Sequence, residues 1–63
     1  MDHLTLKQAR LVREKSQEAC ANAIGVHVQT YRKIEENPEI ATIKEAKQLS
    51  QYLGFPYDVI FFN

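Results

Sequence analysis

Apolar residues recur along this chain at three- and four-residue spacings, and no segment shows the alternation with period two that marks a half-buried strand. Leu6, Ala9 and Val12 repeat every third position, which predicts a first helix over 5–14 with one apolar side, opened by Leu4 and Thr5. Ser16 can cap a second helix, predicted over 17–24, because its hydroxyl can accept from an amide in the following turn. Ala19, Ala21, Ala23 and Ile24 keep that helix narrow, and Gly25 sits where a chain takes a positive φ to stop. A third helix is predicted over 28–36. Pro38 fixes the loop that follows and biases the residue before it away from helix. Thr42 and Glu45 fit a capping box, and Ile43, Ala46, Leu49, Tyr52 and Leu53 follow helical spacing up to Gly54, which predicts a helix over 42–53. Pro56 suits the start of a last short helix, 57–61, that carries Val59, Ile60 and Phe61 inward. The expected fold is all-α, a compact five-helix bundle.

Residues 16 to 35, SQEACANAIGVHVQTYRKIE, carry the candidate chemistry. They read as two short helices about one sharp bend, and the outward positions of the second are His27, Val28, Gln29, Arg32 and Lys33. A mixed basic and amide face on a short helix after a glycine bend suits the major groove of DNA. The Gln29 amide can pair bidentately with adenine, and Val28 can touch a thymine methyl. Gln17, at the start of the preceding helix, can meet a phosphate. Each has a plainer reading beside it: Gln17, Gln29, Arg32 and Lys33 as a solvated face, Val28 as an exposed apolar residue, His27 as an imperfect cap. Tyr31 is expected to bury its ring with the hydroxyl at the surface.

These residues, in this order, resemble the helix-turn-helix of the phage repressor and Cro family, also called the Xre type. The resemblance covers nearly the whole chain. LKQARLVREK is similar to the family's first helix, Thr42 to Leu53 to its fourth, and GFPYDVIFF to the short closing helix of many phage members. The set that carries it is Arg10, Ser16-Gln17, Gly25-Val26, Gln29-Thr30, Glu35, Gly54 and Asp58. It implies a lambda-repressor-like DNA-binding domain with the helix-turn-helix at helices 2 and 3, and a buried structural ion pair between Arg10 and Glu35. The chain departs from the family pattern at Lys15, where an apolar residue is usual, and at His27, which replaces a Ser or Thr cap. Ile34 stands where a bulkier residue is common. The loop Glu36-Asn37-Pro38-Glu39 brings two carboxylates where relatives often place Lys, Arg or Gly near DNA phosphates.

Length and charge narrow the picture. Sixty-three residues allow a single domain, 1–63, near the minimum for independent folding. Eight basic and eight acidic residues cancel, which implies few phosphate contacts. Their distribution is uneven: six basic against four acidic through Glu35, then two against four. A local patch can act on a neutral molecule because screening limits each phosphate to its nearest charges. One cysteine, Cys20, makes no internal disulfide and points to a reducing compartment. No apolar run is long enough for a membrane span and no signal-peptide pattern is present, so the expected location is the cytoplasm of a bacterial host cell.

Two histidines, one cysteine and scattered carboxylates show no metal-ligand spacing, and two glycines make no phosphate loop. No metal, cofactor, small-molecule substrate or catalytic residue is expected, and the enzyme reading is rejected. The leading reading is a sequence-specific regulator that binds a double-stranded DNA operator, of the phage or mobile-element repressor or Cro kind. The alternative is an antirepressor or antitoxin-like module that keeps the fold and binds a repressor or toxin protein, which neutral charge, acidic loop and aromatic tail favour. A third is a domain that belongs to a longer protein. A homodimer is expected through the C-terminal part, with Ile60 and either Phe55 or Phe61 completing the core and Tyr57 and Phe62 left for a symmetric contact. The plainer reading is that all these rings close a thin core.

Overall fold

The computed structural model describes residues 4–61. Its elements are α1 (Leu6–Val12), α2 (Gln17–Ile24), α3 (Val28–Glu36), a 3-10 turn (Pro38–Ile40), α4 (Ile43–Leu53) and α5 (Tyr57–Ile60). There is no strand among the described residues. The expected five helices are present, and their bounds follow local cap chemistry.

Ser16 and Thr42 cap as the sequence suggests, and Thr5 and His27 correct it. Ser16 accepts from the Ala19 amide, and Thr42 and Glu45 close a reciprocal capping box. Thr5 closes a second box with Gln8, so α1 begins after Thr5 rather than at it. His27 is no idle replacement for Ser or Thr: its Nδ1 accepts from the Gln29 amide at 3.1 Å. An imidazole nitrogen is an acceptor like a hydroxyl oxygen, and here it has the reach.

The helix ends differ more. Gly25, at φ 72°, ends α2, with the Val26 amide donating back to the Ala21 carbonyl. The same closure ends α1 on a residue that is not glycine. Glu14 takes φ 57°, its amide reaches the Leu11 carbonyl, and the Lys15 amide reaches that of Arg10. The pair of hydrogen bonds satisfies carbonyls that the helix end leaves free. Helix α1 therefore stops at Val12 instead of 14.

The core is built from Leu6 and Ala9 of α1, Cys20, Ala21 and Ile24 of α2, Tyr31 and Ile34 of α3, Leu49 and Leu53 of α4, and Ile60 of α5. Ala46 is buried as well. Small side chains at Ala9, Cys20, Ala21 and Ala46 let helix backbones approach closely. Tyr31 is the largest fully buried side chain, hydroxyl included, so its hydroxyl is not at the surface as expected. Val12 does not belong to the apolar side, being 59% exposed. Strict three-residue spacing drifts around a helix of 3.6 residues per turn, and the inward face continues through Arg10 instead. Ile43 and Tyr52 are likewise exposed, and the inward face of α4 is Ala46, Leu49, Ser50 and Leu53. Of Val59, Ile60 and Phe61, only Ile60 is fully enclosed; the other two are half-buried. The Leu4 amide donates to the Val59 carbonyl at 3.0 Å and ties the segment before α1 to α5.

No helix among the described residues is long and apolar enough to cross a membrane.

Candidate nucleic-acid interface

Helices α2 and α3 are joined by Gly25, Val26 and His27, and they pack against each other. Nine residues give α3 a length of about 14 Å at 1.5 Å per residue. That is of the order of the major-groove width of B-DNA, about 12 Å. Tyr31 and Ile34 bury one side of it and fix its roll. Gln29, Arg32, Lys33 and Glu36 are exposed, and they fall at i, i+3, i+4 and i+7, which is one face of a helix. Thr30 is exposed beside them; the sequence names it in the family pattern and not as a DNA contact.

His27 is exposed at the head of this face. With Nδ1 accepting from Gln29, a neutral imidazole carries its proton on Nε2, leaving that N–H as a donor to solvent or a ligand. Val28 is half-buried and packs partly against the core, so only part of it faces outward. Among the described residues, the side-chain amide of Gln29 and the Lys33 ammonium make no hydrogen bond to another side chain. Glu36 puts a carboxylate at the end of the same face.

Behind the face lies a hydrogen-bonded cluster around Glu35. Arg10 Nε donates to Glu35 Oε2, and the two side chains are 10% and 6% exposed. Tyr31 donates its hydroxyl proton to the same oxygen at 2.7 Å. Arg10 also donates to the Lys15 carbonyl at 3.0 Å, which ties α1 to the residue before the α2 cap. Gln17 Nε2 donates to Glu35 Oε1 at 3.1 Å, and Gln17 Oε1 accepts from Arg32 Nε at 3.0 Å. Gln17 is thus half-buried and bonded on both ends of its amide. Among the described residues every buried side-chain nitrogen or oxygen has a partner.

The electrostatics of the cluster follow from burial and these contacts. Burial pushes the Glu35 carboxyl up, but hydrogen bonds from Arg10, Tyr31 and Gln17 outweigh it and hold the group below the usual carboxylate range. The Glu35 hydrogen bond raises Arg10 above its ordinary value against the opposing effect of burial. Burial, then donation to Glu35, pushes the Tyr31 phenol far up. Burial pushes the Cys20 thiol up, which makes it a packing residue rather than a nucleophile.

Sequence reasoning missed a second tie. Arg13 Nε donates to the Leu53 carbonyl at 2.6 Å and Nη2 to the Gly54 carbonyl at 3.2 Å, and its guanidinium lies 4.3 Å from the Phe55 ring centre. The only signal in the sequence was a cation at the end of a helix.

Tyr57 is 40% exposed and stacks at a tilt on Phe61, with ring centres 5.6 Å apart. An open groove of mixed polarity beside them is lined by Pro38, Glu39, Ala41, Ile43, Ala46, Tyr57, Ile60 and Phe61. Phe62 lies outside the described residues.

Two packed helices about a glycine bend, with a polar and basic face on the second, define a helix-turn-helix domain. A family model described as helix-turn-helix matches residues 6–60. The chain belongs to this family of DNA-binding domains, of the Xre or lambda-repressor-like type. No curated protein and no solved structure matches the chain.

Proposed function

We propose that the chain is a sequence-specific transcriptional regulator of the phage or mobile-element repressor or Cro kind, reading the major groove with α3. The observation that carries this reading is the face Gln29, Arg32 and Lys33, exposed on a helix whose other side is locked by Tyr31 and Ile34. Gln29 suits adenine, and the two cations suit guanine edges or phosphates. His27 Nε2 and the outward part of Val28 border the same face. The whole chain, 1–63, acts as one DNA-binding domain, in the cytoplasm of a bacterial cell, without metal, cofactor or small-molecule substrate.

One such helix covers few base pairs, so two copies on half-sites roughly 34 Å apart complete the operator. Tyr57, with Phe62, is the proposed symmetric contact. A second reading, an antirepressor or antitoxin-like module, draws on the groove beside Tyr57, which Glu39 also lines, and on the nearby carboxylate of Glu36.

Selection of binding sites from random duplex DNA, followed by salt-titrated binding, tests the proposal. Expected is one preferred sequence, bound with affinity that falls steeply as salt rises. Gln29→Ala is expected to relax one base position at a cost of about 1–3 kcal/mol. Unchanged operator binding by Gln29→Ala and Arg32→Ala overturns the assignment of α3. Failure to bind any DNA at every salt concentration favours the protein-partner reading.

A further inference from the structure

Gln17 is expected from its position to touch a DNA phosphate directly, yet its side chain is already engaged. The amide has two distinct ends, and each meets the partner that only that end can serve. Its nitrogen faces the Glu35 carboxylate, which only accepts, and its oxygen faces the Arg32 Nε–H, which only donates. A flipped amide would lose both hydrogen bonds, so the orientation is determined. Glu35 is itself held by Arg10 and Tyr31, which are buried. A continuous chain of hydrogen bonds therefore runs from the α1–α3 core contact through Gln17 to the surface of α3. Arg32 is attached at Nε alone. Its two terminal nitrogens have no partner among the described residues, and they form the end-on fork of a guanidinium that matches paired oxygen or nitrogen acceptors.

We propose that Gln17 is a positioning residue that anchors Arg32 by its Nε edge and so presents the terminal guanidinium fork to paired acceptors on DNA. This rests on the reading of α3 as the DNA-contacting helix and adds how one of its side chains is preorganised. A free arginine must give up rotamer freedom when it binds, and an anchored one has already done so. Lys7 and Glu36 line the same cleft as Gln17 and Arg32, so one further cation and one carboxylate border it. Paired acceptors on DNA are two oxygens of a phosphate, or O6 and N7 of guanine.

The test is a double-variant cycle with a selected operator: the intact protein, Gln17→Met, Arg32→Ala, and both together. Methionine keeps the length of the side chain and removes both hydrogen bonds. Expected is a weakening of about two- to tenfold for Gln17→Met in the intact background, the range for one immobilised side chain. On the Arg32→Ala background the same change is expected to have no effect. Additive losses mean that Gln17 touches DNA by itself, and they overturn the proposal. If Arg32→Ala binds as well as the intact protein, or no DNA is bound at all, the role of Arg32 on DNA falls and the proposal with it. A second measurement does not depend on the variant folding. Nitrogen relaxation of the Arg32 Nε–H in the free intact protein is expected to show order near that of the backbone, and a freely rotating Nε–H overturns the anchoring. The acceptor is then identified by where Arg32→Ala loses affinity. An equal loss on operator and unrelated DNA, with a salt slope smaller by about 1, marks a phosphate, and a loss confined to one guanine marks a base edge.

Discussion

The guanidinium of Arg13, one residue past the end of α1, donates to the carbonyl of Leu53, the last residue of α4. It also reaches the Gly54 carbonyl and stacks over Phe55, so one side chain satisfies free carbonyls at the end of α4 and covers an aromatic ring. A cation there also complements the negative end of the α4 dipole. Arg13→Ala is expected to lower stability by about 1–2 kcal/mol, below the upper range for charged hydrogen bonds because the side chain is exposed. Arg13→Lys should recover only part, since an ammonium cannot serve two carbonyls and a ring face in one plane. Urea unfolding monitored by circular dichroism checks both.

Glu35 makes stability depend on pH. Its carboxyl is held below the usual range in the folded chain and returns to it on unfolding, so folding favours the ionised form. That contribution is fully present above the ordinary carboxylate value, about 4.3, and is lost as pH falls through the lower folded value. Midpoint denaturant concentration is therefore expected to drop as pH falls from about 5 toward 3. In Glu35→Gln this part of the pH dependence should be missing. Glu35→Ala leaves Arg10 buried without its partner, at about 3–5 kcal/mol. For a chain of this size, with total stability of only several kcal/mol, that variant is expected to be largely unfolded.

Glu14 and Gly25 occupy equivalent positions at the ends of α1 and α2, yet only one is glycine. A left-handed residue with a side chain costs about 1–2 kcal/mol, partly offset by the lower chain entropy of a non-glycine residue when unfolded. Glu14→Gly is expected to raise stability by about 0.5–1 kcal/mol. Gly25→Ala should lower it by about 1 kcal/mol. Apart from Gly25 itself and its immediate chain neighbours, nothing lies within 4 Å of where the new Cβ of Gly25→Ala would sit, so its effect is backbone strain alone. Thermal unfolding of the two variants beside the intact chain reads the difference.

Glu36 closes the exposed face of α3 with the wrong charge for DNA. Glu36→Lys is expected to strengthen binding at all sequences and to steepen the dependence of log K on log salt by about 1. Fluorescence anisotropy over a salt series, with operator and unrelated duplexes in parallel, measures both. An unchanged slope would mean that the end of α3 points away from the phosphates.

The proposed pairing of two copies predicts a sedimentation coefficient that rises with concentration, and more readily with a palindromic site present. Tyr57→Ser and Phe62→Ser are each expected to shift the equilibrium toward monomer. A strictly monomeric intact chain on a palindromic site would rule the pairing out.

What the sequence determined by itself was whatever neighbours three or four residues apart decide. Ser16, Thr42, Gly25 and Gly54 set helix ends through contacts within one turn, so α2, α3 and α4 were legible almost to the residue. The family resemblance placed Arg10 and Glu35 together, and no local rule would have done so across 25 positions. The tertiary structure decided the rest. The exposure of Val12 and Ile43 depends on which neighbours surround each helix, and spacing alone does not carry that. The left-handed Glu14 is invisible to a reading that expects glycine. The engagement of Gln17 joins α2 to α3 across 18 and 15 positions, and Arg13 reaches 40 residues along the chain. A polar side chain on a helix reads as solvated until the fold brings it a partner. Caps and turns act over one helical turn and are written locally, whereas the bonds that orient side chains at the proposed DNA-facing surface exist only after the helices have packed.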